Sequence, residues 1–271
     1  VNATPDIWLD LCRGVVEDVR SELDRLPTRD ERELVIGRGE GGDETTQIDA
    51  AAEHAAVRRL EALDIPGFTL VSEELGEKVF GAGGSTRVAL DPIDGSINAK
   101  RGIPFFSVSV AVADGERMSD VFFGYVYDFG SGEEWTARRG EGAWLGGEAL
   151  GAVRPKDEVE ILAFEATATT RIAERAPSVV GLAERLRIMG SLALSLCHLA
   201  AGRIDAVCSL KPTRSVDVAA AQLLAREVGM AVEFVDGGSF LDSGLDLEQR
   251  SRIAAAGTEE LCRELAARLR A

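Results

Sequence analysis

At 271 residues, with 45% hydrophobic and 28% charged residues, the chain is long enough for one large domain or two closely joined ones and has an ordinary globular composition. No apolar run approaches the roughly 20 residues that span a bilayer, and the acidic, amphipathic start VNATPDIWLDLCRGVVEDVR does not read as a signal peptide, so a cytoplasmic protein is expected. A formal charge of −16 argues against nucleic acid or an anionic membrane as partner, yet permits a phosphorylated small molecule if divalent cations sit between carboxylates and ligand. Apolar residues at helical spacing (Ile7, Leu11, Val15, Val19, Leu23) predict an amphipathic helix from Ile7 to about Leu26, with Pro27 helping to end it. A Gly-rich turn then leads into a second helix, where Thr46 and Asp49 stand at the spacing of a capping box. GFTLVSEELGE and GSTRVALDPIDG read as strands that both finish on carboxylates.

From Phe105 to about Leu145, alternating and aromatic-rich segments broken by Gly predict antiparallel hairpins. The remainder alternates. VEILAFEA is expected as a strand, followed by a helix around Ala183, a short strand at LRIM and a long helix over GSLALSLCHLAAG. A strand at IDAVCSL, the helix VDVAAAQLLAREVG and a terminal helix ending in LCRELAARLRA complete the reading. Two halves sharing one interface are expected, residues 1–154 with most of the acidic site and 155–271 as an α/β half supplying Asp217.

Cys12, Cys197, Cys208 and Cys262 are scattered, with no Cys-x-x-Cys pair, and read as reduced core residues. Only His54 and His198 are present, both inside helical patterns, which argues against a His-rich metal site or a Ser-His-Asp triad. Lys78, Lys100, Lys156 and Lys211 are the only lysines among 30 basic residues, a bias that resembles nucleotide composition or salt tolerance more than function.

The chemistry concentrates in VALDPIDGSINAK. Asp91 closes a strand, Pro92 restricts the exit, and Asp94 follows one turn later, so two carboxylates can converge. Gly95 permits close backbone approach, and Ser96 and Asn98 can begin a short helix whose N–H groups face an anion. Glu73 and Glu74 end a neighbouring strand, Asp43 and Asp49 flank a helix start, and Asp217 opens another helix. Gathered along one sheet edge, these acids would form a cup tolerable only with hard cations, and Mg²⁺ suits all-oxygen ligation. Two such ions about 3.5–4 Å apart can activate water and neutralise a phosphoryl group. Taken singly, Asp217 and the Thr46–Asp49 pair read equally as helix caps, SEELGE as a solvated loop, and DPIDGS as either an elaborate turn or a metal site. Their combination favours the metal site.

DPIDGSIN followed by GIPFFSVSVAV, with VSEE upstream and SVDVAAAQLLAREVG downstream, resembles the inositol monophosphatase family of lithium-sensitive, Mg²⁺-dependent sugar phosphatases. Asp43, Thr46 and Asp49 match that family's Asp-x-x-Thr-x-x-Asp segment, and RRGEGAWLGGE is similar to its Gly-rich hairpin. The resemblance implies a layered αβαβα sandwich of α+β and α/β halves, a homodimer, and hydrolysis of a phosphate monoester by in-line water attack without a phosphoenzyme. It further implies that Glu73, Asp91 and the Ile93 carbonyl bind one Mg²⁺, that Asp91, Asp94 and Asp217 bind a second, and that a weaker third shares Glu73. Gly95 and Ser96 N–H groups would hold phosphate, and Ser96 would orient the attacking water with Glu73, supported through Thr46 and Asp49.

Ser96 stands where Thr is commoner in the family, keeping the hydroxyl. Leu210 replaces an acidic sugar-contacting residue, Val216 replaces an aromatic, and REVGM lacks the usual Ala-Gly-Gly ending. RIMGSLALSLCHLAAGRIDAVCSL and Arg214, one turn before Asp217, are similar to the archaeal-type dual inositol monophosphatase/fructose-1,6-bisphosphatase group, and the REVGM change is read as structural. Arg187 and Arg214, with Lys211, are candidates for a second phosphate or for plain surface ion pairs, and Gly190 and Ser191 for substrate hydroxyls or packing. The expected substrates are sugar or polyol phosphates, with inositol-1-phosphate and fructose-1,6-bisphosphate ahead of histidinol phosphate and 3′-phosphoadenosine 5′-phosphate. A catalytically silent metal-binding regulatory protein is the alternative from another class.

Overall fold

The computed structural model describes residues 5–152, 158–166, 168–248 and 250–271. The first half runs α1 (Pro5–Arg25), α2 (Arg29–Glu33), β1 (Val35–Arg38), β2 (Glu44–Thr46), α3 (Gln47–Glu61), β3 (Gly67–Ser72), β4 (Gly76–Gly81), β5 (Arg87–Asp94) and α4 (Ser96–Arg101). It continues through β6 (Ser107–Ala113), β7 (Val121–Asp128), β8 (Glu134–Arg138), β9 (Gly142–Leu145) and β10 (Glu148–Ala149). The second half contains β11 (Val159–Glu165), α5 (Thr169–Arg175), β12 (Ala183–Arg187), α6 (Leu192–Ala200), β13 (Ala206–Ser209), α7 (Ser215–Glu227), β14 (Ala231–Phe234), β15 (Ile253–Ala256) and α8 (Glu259–Arg270).

An eight-stranded sheet has the order β10-β9-β8-β7-β6-β5-β3-β4, and a five-stranded sheet the order β12-β11-β13-β15-β14. The large sheet is antiparallel except where β3 and β5 run together, and β11, β12 and β13 form the parallel part of the small one. Period-two alternation sorts the large sheet's residues to two faces. Leu70, Val88, Leu90, Val110 and Val112 pack on Trp8, Val15, Ala52 and Ala56 of α1 and α3. Val71, Ala89 and Ala111 instead join Leu194, Cys197, Ala220 and Leu224 of α6 and α7, together with Val207 and Ala255 of the small sheet. The small sheet's far face, including Phe164 and Cys208, packs on Cys262, Leu265 and Leu269 of α8. The result is the expected αβαβα sandwich. Because β5 and β6 are covered on both sides, they are buried almost from end to end, and Val88–Leu90 and Val110–Ala113 are uninterrupted apolar runs where a half-exposed strand would alternate.

The helix expected around Ala183 is corrected. Ala183 opens β12, which pairs in parallel with β11 through Val159↔Ala183 and Ala163↔Arg187, while the helix lies earlier, at Thr169–Arg175. Pairing along the sheet edge outweighs the helical propensity of Ala, Glu, Arg and Leu in AERLR. The short strand expected at LRIM accordingly ends at Arg187. The β1–β2 hairpin and the antiparallel pair β14–β15 were not foreseen. The anticipated division at residues 154 and 155 lies outside the described residues, and the core between the sheets draws on both halves. No described helix is long and apolar enough to cross a membrane.

Candidate metal centre and substrate cleft

A cleft of ≈ 550 Å³ opens where β3 and β5 end, facing the N-termini of α6 and α7 and the ends of β11 and β13. Its acidic wall begins with a local irregularity. Asp91 pairs with Ser109 and Asp94 with Ser107, so three steps on β5 oppose two on β6. Residues three apart on a regular strand point to opposite faces, and the extra residue lets both carboxylates serve one cleft. Pro92 sits inside this bulge, where a missing backbone donor is tolerated.

Glu73, Asp91 and Asp217 each offer a carboxylate oxygen within 4.8 Å of the others. Asp91 accepts the Ile93 N–H at 3.0 Å, and Asp94 accepts the Ser191 hydroxyl at 2.6 Å and the Ala193 N–H at 2.7 Å. Asp217 does two jobs at once: Oδ2 caps α7 by accepting the Arg214 N–H at 2.7 Å, while Oδ1 faces the Arg214 guanidinium at 3.6 Å. The cap thus occupies one oxygen of Asp217 and the ion pair with Arg214 the other.

Burial and like charge act together here. Burial pushes Glu73 up to about 7 although Arg214 pulls it down, and raises Asp94 to about 6 against the Ser191 and Ala193 hydrogen bonds. Asp91 is raised well above the usual carboxylate range by burial first and by Asp94, Glu73 and Asp217 next. A buried all-oxygen cluster whose members resist ionisation beside one another fits a hard divalent cation, which removes the desolvation and repulsion together.

Side-chain cations already stand against several of these acids. Arg214, only 6% exposed, donates to Glu73 at 2.8 Å and to the Gly41 carbonyl at 3.3 Å, and lies 3.6 Å from Asp43. Lys100 lies 2.8 Å from Asp49, whose Oδ2 also accepts the Thr46 hydroxyl at 2.6 Å and, more loosely, the Thr46 N–H at 3.3 Å. The other Asp49 oxygen is buried with no hydrogen-bond partner in the protein.

Gly95 has φ +95° and precedes α4, and a Cβ there would come within 3.1 Å of both the Gly190 and Phe105 carbonyls. The Ser96 hydroxyl donates to the Ile93 carbonyl at 3.0 Å. Gly190, Lys211 and Thr213 line the opposite wall, and Ser191 joins the site through its bond to Asp94. Arg187 is exposed, donates to the Leu186 carbonyl at 3.0 Å, and is not among the residues that line this cleft.

Three contributors escaped the sequence reading. Glu165 accepts from Met189 N, Gly190 N and the Ser195 hydroxyl, and burial holds its carboxyl above the ordinary range despite those donors. Lys100 reaches Asp49 from the end of α4, and Glu53 on α3, pushed up to about 8 chiefly by burial, lies behind the Glu73–Glu74 pair. Glu165 left a signal: like the segments bearing Glu73 and Asp91, its strand terminates in an acid.

The description "Inositol monophosphatase family" belongs to a family model that matches residues 6–271. A fructose-1,6-bisphosphatase/inositol-1-monophosphatase of Archaeoglobus fulgidus is 35% identical over 251 residues, covering 92% of each chain. One of the same description from Methanothermobacter thermautotrophicus is 33% identical, covering 94% of this chain and 93% of the relative. Among solved structures, an inositol monophosphatase–fructose 1,6-bisphosphatase superposes with a TM-score of 0.83 at 27% identity, over 97% of this chain and 99% of that one. With the acids of DPIDGSIN, Glu73 and Asp217 converging on one cleft and a full-length match behind them, the chain belongs to the inositol monophosphatase family.

Proposed function

We propose that the protein is a Mg²⁺-dependent phosphatase acting in the cytoplasm on sugar or polyol phosphates, with inositol-1-phosphate and fructose-1,6-bisphosphate as its substrates. The observation that carries this reading is the convergence of Glu73, Asp91 and Asp217 within 4.8 Å, with Asp94 beside them in the same cleft. Glu73, Asp91 and the Ile93 carbonyl would hold one ion, and Asp91, Asp94 and Asp217 a second. When bound there, Mg²⁺ supplies Lewis acidity toward phosphoryl oxygens and lowers the pKa of a water.

The chain's own groups do the rest. Gly95 and Ser96 line the cleft, and in this reading their backbone N–H groups would hold phosphate oxygens, the left-handed conformation of Gly95 allowing the close approach of the backbone. In this reading the Ser96 hydroxyl turns from the Ile93 carbonyl toward the attacking water, with Glu73 as its other partner. Asp49, fixed by Thr46 and Lys100, keeps a buried oxygen free to accept a proton donor. Gly190 lines the cleft where substrate hydroxyls would lie, whereas Ser191, buried and bonded to Asp94, serves that carboxylate and not the substrate. With Glu73 and Asp217 serving as ligands of the two ions, the Arg214 guanidinium, which lies 2.8 Å from Glu73, would be available to a second phosphate, and Lys211 on the same wall would join it. Arg187 has no part in this assignment. A homodimer accompanies the proposal, as the resemblance to the family implies.

The relatives named above support the substrate pair, and the four buried, unpaired cysteines suit a reducing compartment. Phosphate release from inositol-1-phosphate, fructose-1,6-bisphosphate, histidinol phosphate and 3′-phosphoadenosine 5′-phosphate, with and without Mg²⁺, tests it. The first two should be hydrolysed only with the metal, and Asp94→Asn should remain folded while losing at least about 100-fold in rate. Turnover unchanged in that variant rejects the two-metal site, and no release from any of the four supports the silent metal-binding alternative.

A further inference from the structure

The carboxylate of Glu165 touches none of the proposed ligands, yet it grips the segment that holds one of them. Its oxygens accept the Gly190 N–H at 2.9 Å, the Met189 N–H at 3.3 Å and the Ser195 hydroxyl at 2.7 Å, and the residue is 6% exposed. One residue beyond Gly190, Ser191 caps α6 and donates its hydroxyl to Asp94 Oδ2 at 2.6 Å, while Ala193 N–H donates to the same oxygen at 2.7 Å. From the other side, Asn98 donates to the Met189 carbonyl at 2.8 Å and to the Phe105 carbonyl at 2.7 Å. Gly190 itself has φ +87°, a conformation that the flanking contacts must maintain.

Two backbone N–H groups and a hydroxyl converge on one buried carboxylate. Without an acceptor in that place, those donors would be left unpaired away from water, and the Met189–Ser191 turn would rearrange to find partners. Ser191 moves with that turn, and Asp94 Oδ2 takes its orientation from Ser191 and Ala193. Partners behind a ligating carboxylate set its aim as directly as the strand that bears it.

We propose that Glu165 is a positioning residue: by holding the Met189 and Gly190 N–H groups and the Ser195 hydroxyl, it fixes Ser191 and thereby aims Asp94 into the cation site. The inference rests on the reading of Asp94 as a metal ligand. It predicts that acceptor geometry matters more than charge. In a Glu165→Gln variant the amide oxygen still accepts from Gly190 N–H, and its NH₂ donates to the Ser195 oxygen while the Ser195 hydrogen turns from Glu165 to the Ser191 carbonyl 2.9 Å away, so that only the long Met189 N–H bond at 3.3 Å loses its acceptor.

The test is calorimetric titration of the metal-free, full-length protein with Mg²⁺ alone, alongside the Mg²⁺ dependence of phosphate release. Glu165→Ala should weaken Mg²⁺ binding about tenfold, with most of the lost rate recovered at saturating metal, and Glu165→Gln should return the affinity to within about threefold of wild type. Ser195→Ala, which removes one of the three donors from outside the cleft, should weaken binding about two- to threefold and carries the test if Glu165→Ala does not fold. Wild-type Mg²⁺ affinity in whichever of these two folded variants is measured overturns the inference, since a purely structural role would lower stability alone. Failure of the wild type itself to bind Mg²⁺ overturns the metal-site reading, and that outcome is visible before any variant is made.

Discussion

Arg214→Met isolates the part of the site that is electrostatic. The guanidinium is nearly buried and lies against Glu73 at 2.8 Å and Asp217 and Asp43 at 3.6 Å, while methionine preserves much of the aliphatic stem and leaves the backbone N–H that caps Asp217. Breaking a buried pair by removing one partner costs about 3–5 kcal/mol. Glu73 keeps about 20% of its side-chain surface exposed and Asp43 about 73%, so water shares in the compensation and about 2–3 kcal/mol is the appropriate figure here. For a chain of this size that is a fall of roughly 4–12 °C in Tm in the presence of chelator. A divalent cation supplies the missing positive charge, so the deficit should shrink in saturating Mg²⁺. If about 1.4 kcal/mol is recovered, linkage requires the variant to bind Mg²⁺ about tenfold more tightly than the wild type. Urea and thermal denaturation in chelator and in Mg²⁺, paired with calorimetric titration, measure both sides of the cycle. An equal deficit in the two media, with unchanged metal affinity, would show that Arg214 serves as a packing strut and refute its role as counter-charge.

Metal-free protein should lose stability as pH rises. Glu73 near 7, Asp94 near 6 and Asp91 well above its ordinary range all bind protons more tightly in the folded state, so their contribution is complete below the unfolded carboxyl value of about 4 and is lost as pH climbs through about 6–7. Denaturation series from pH 5 to 8 should show this decline in chelator and a much flatter profile with Mg²⁺; a rise in stability across that window in chelator contradicts the burial argument. Gly95→Ala should cost about 2 kcal/mol, because alanine resists φ +95° and its Cβ would lie 3.1 Å from two carbonyl oxygens. Denaturant unfolding checks this, and a variant as stable as the wild type would show that the backbone relaxes there without strain.

Most of the layers were legible because each was written in a local pattern. The 3.6-residue spacing of Ile7, Leu11, Val15, Val19 and Leu23 marked α1, and the alternating segments after Phe105 marked the hairpins of the large sheet. AERLR misled because its helix-forming residues lie on a sheet edge, where pairing with β11 decides the conformation. The β14–β15 pair was illegible for a related reason. AVEF and IAAA are four residues each and separated by a long loop, and only the pairing of IAAA with β13 on one side and with AVEF on the other gives them meaning.

For the site, sequence alone determined which acids are available and that they stand at the ends of strands and the starts of helices, because DPIDGSIN, VSEE and SVDVAAAQLL are local statements of backbone geometry. Tertiary structure alone decided the pairings. Arg214 turned out to face Glu73 and Asp217, Lys100 to face Asp49, and Glu165 to hold the turn that holds Asp94. Partners as far apart as Glu73 and Arg214 share no periodicity; their meeting depends on how two sheets and the helices between them pack, and it is that packing, through burial and the sum of nearby charges, that makes ordinary carboxylates into a site that calls for a cation.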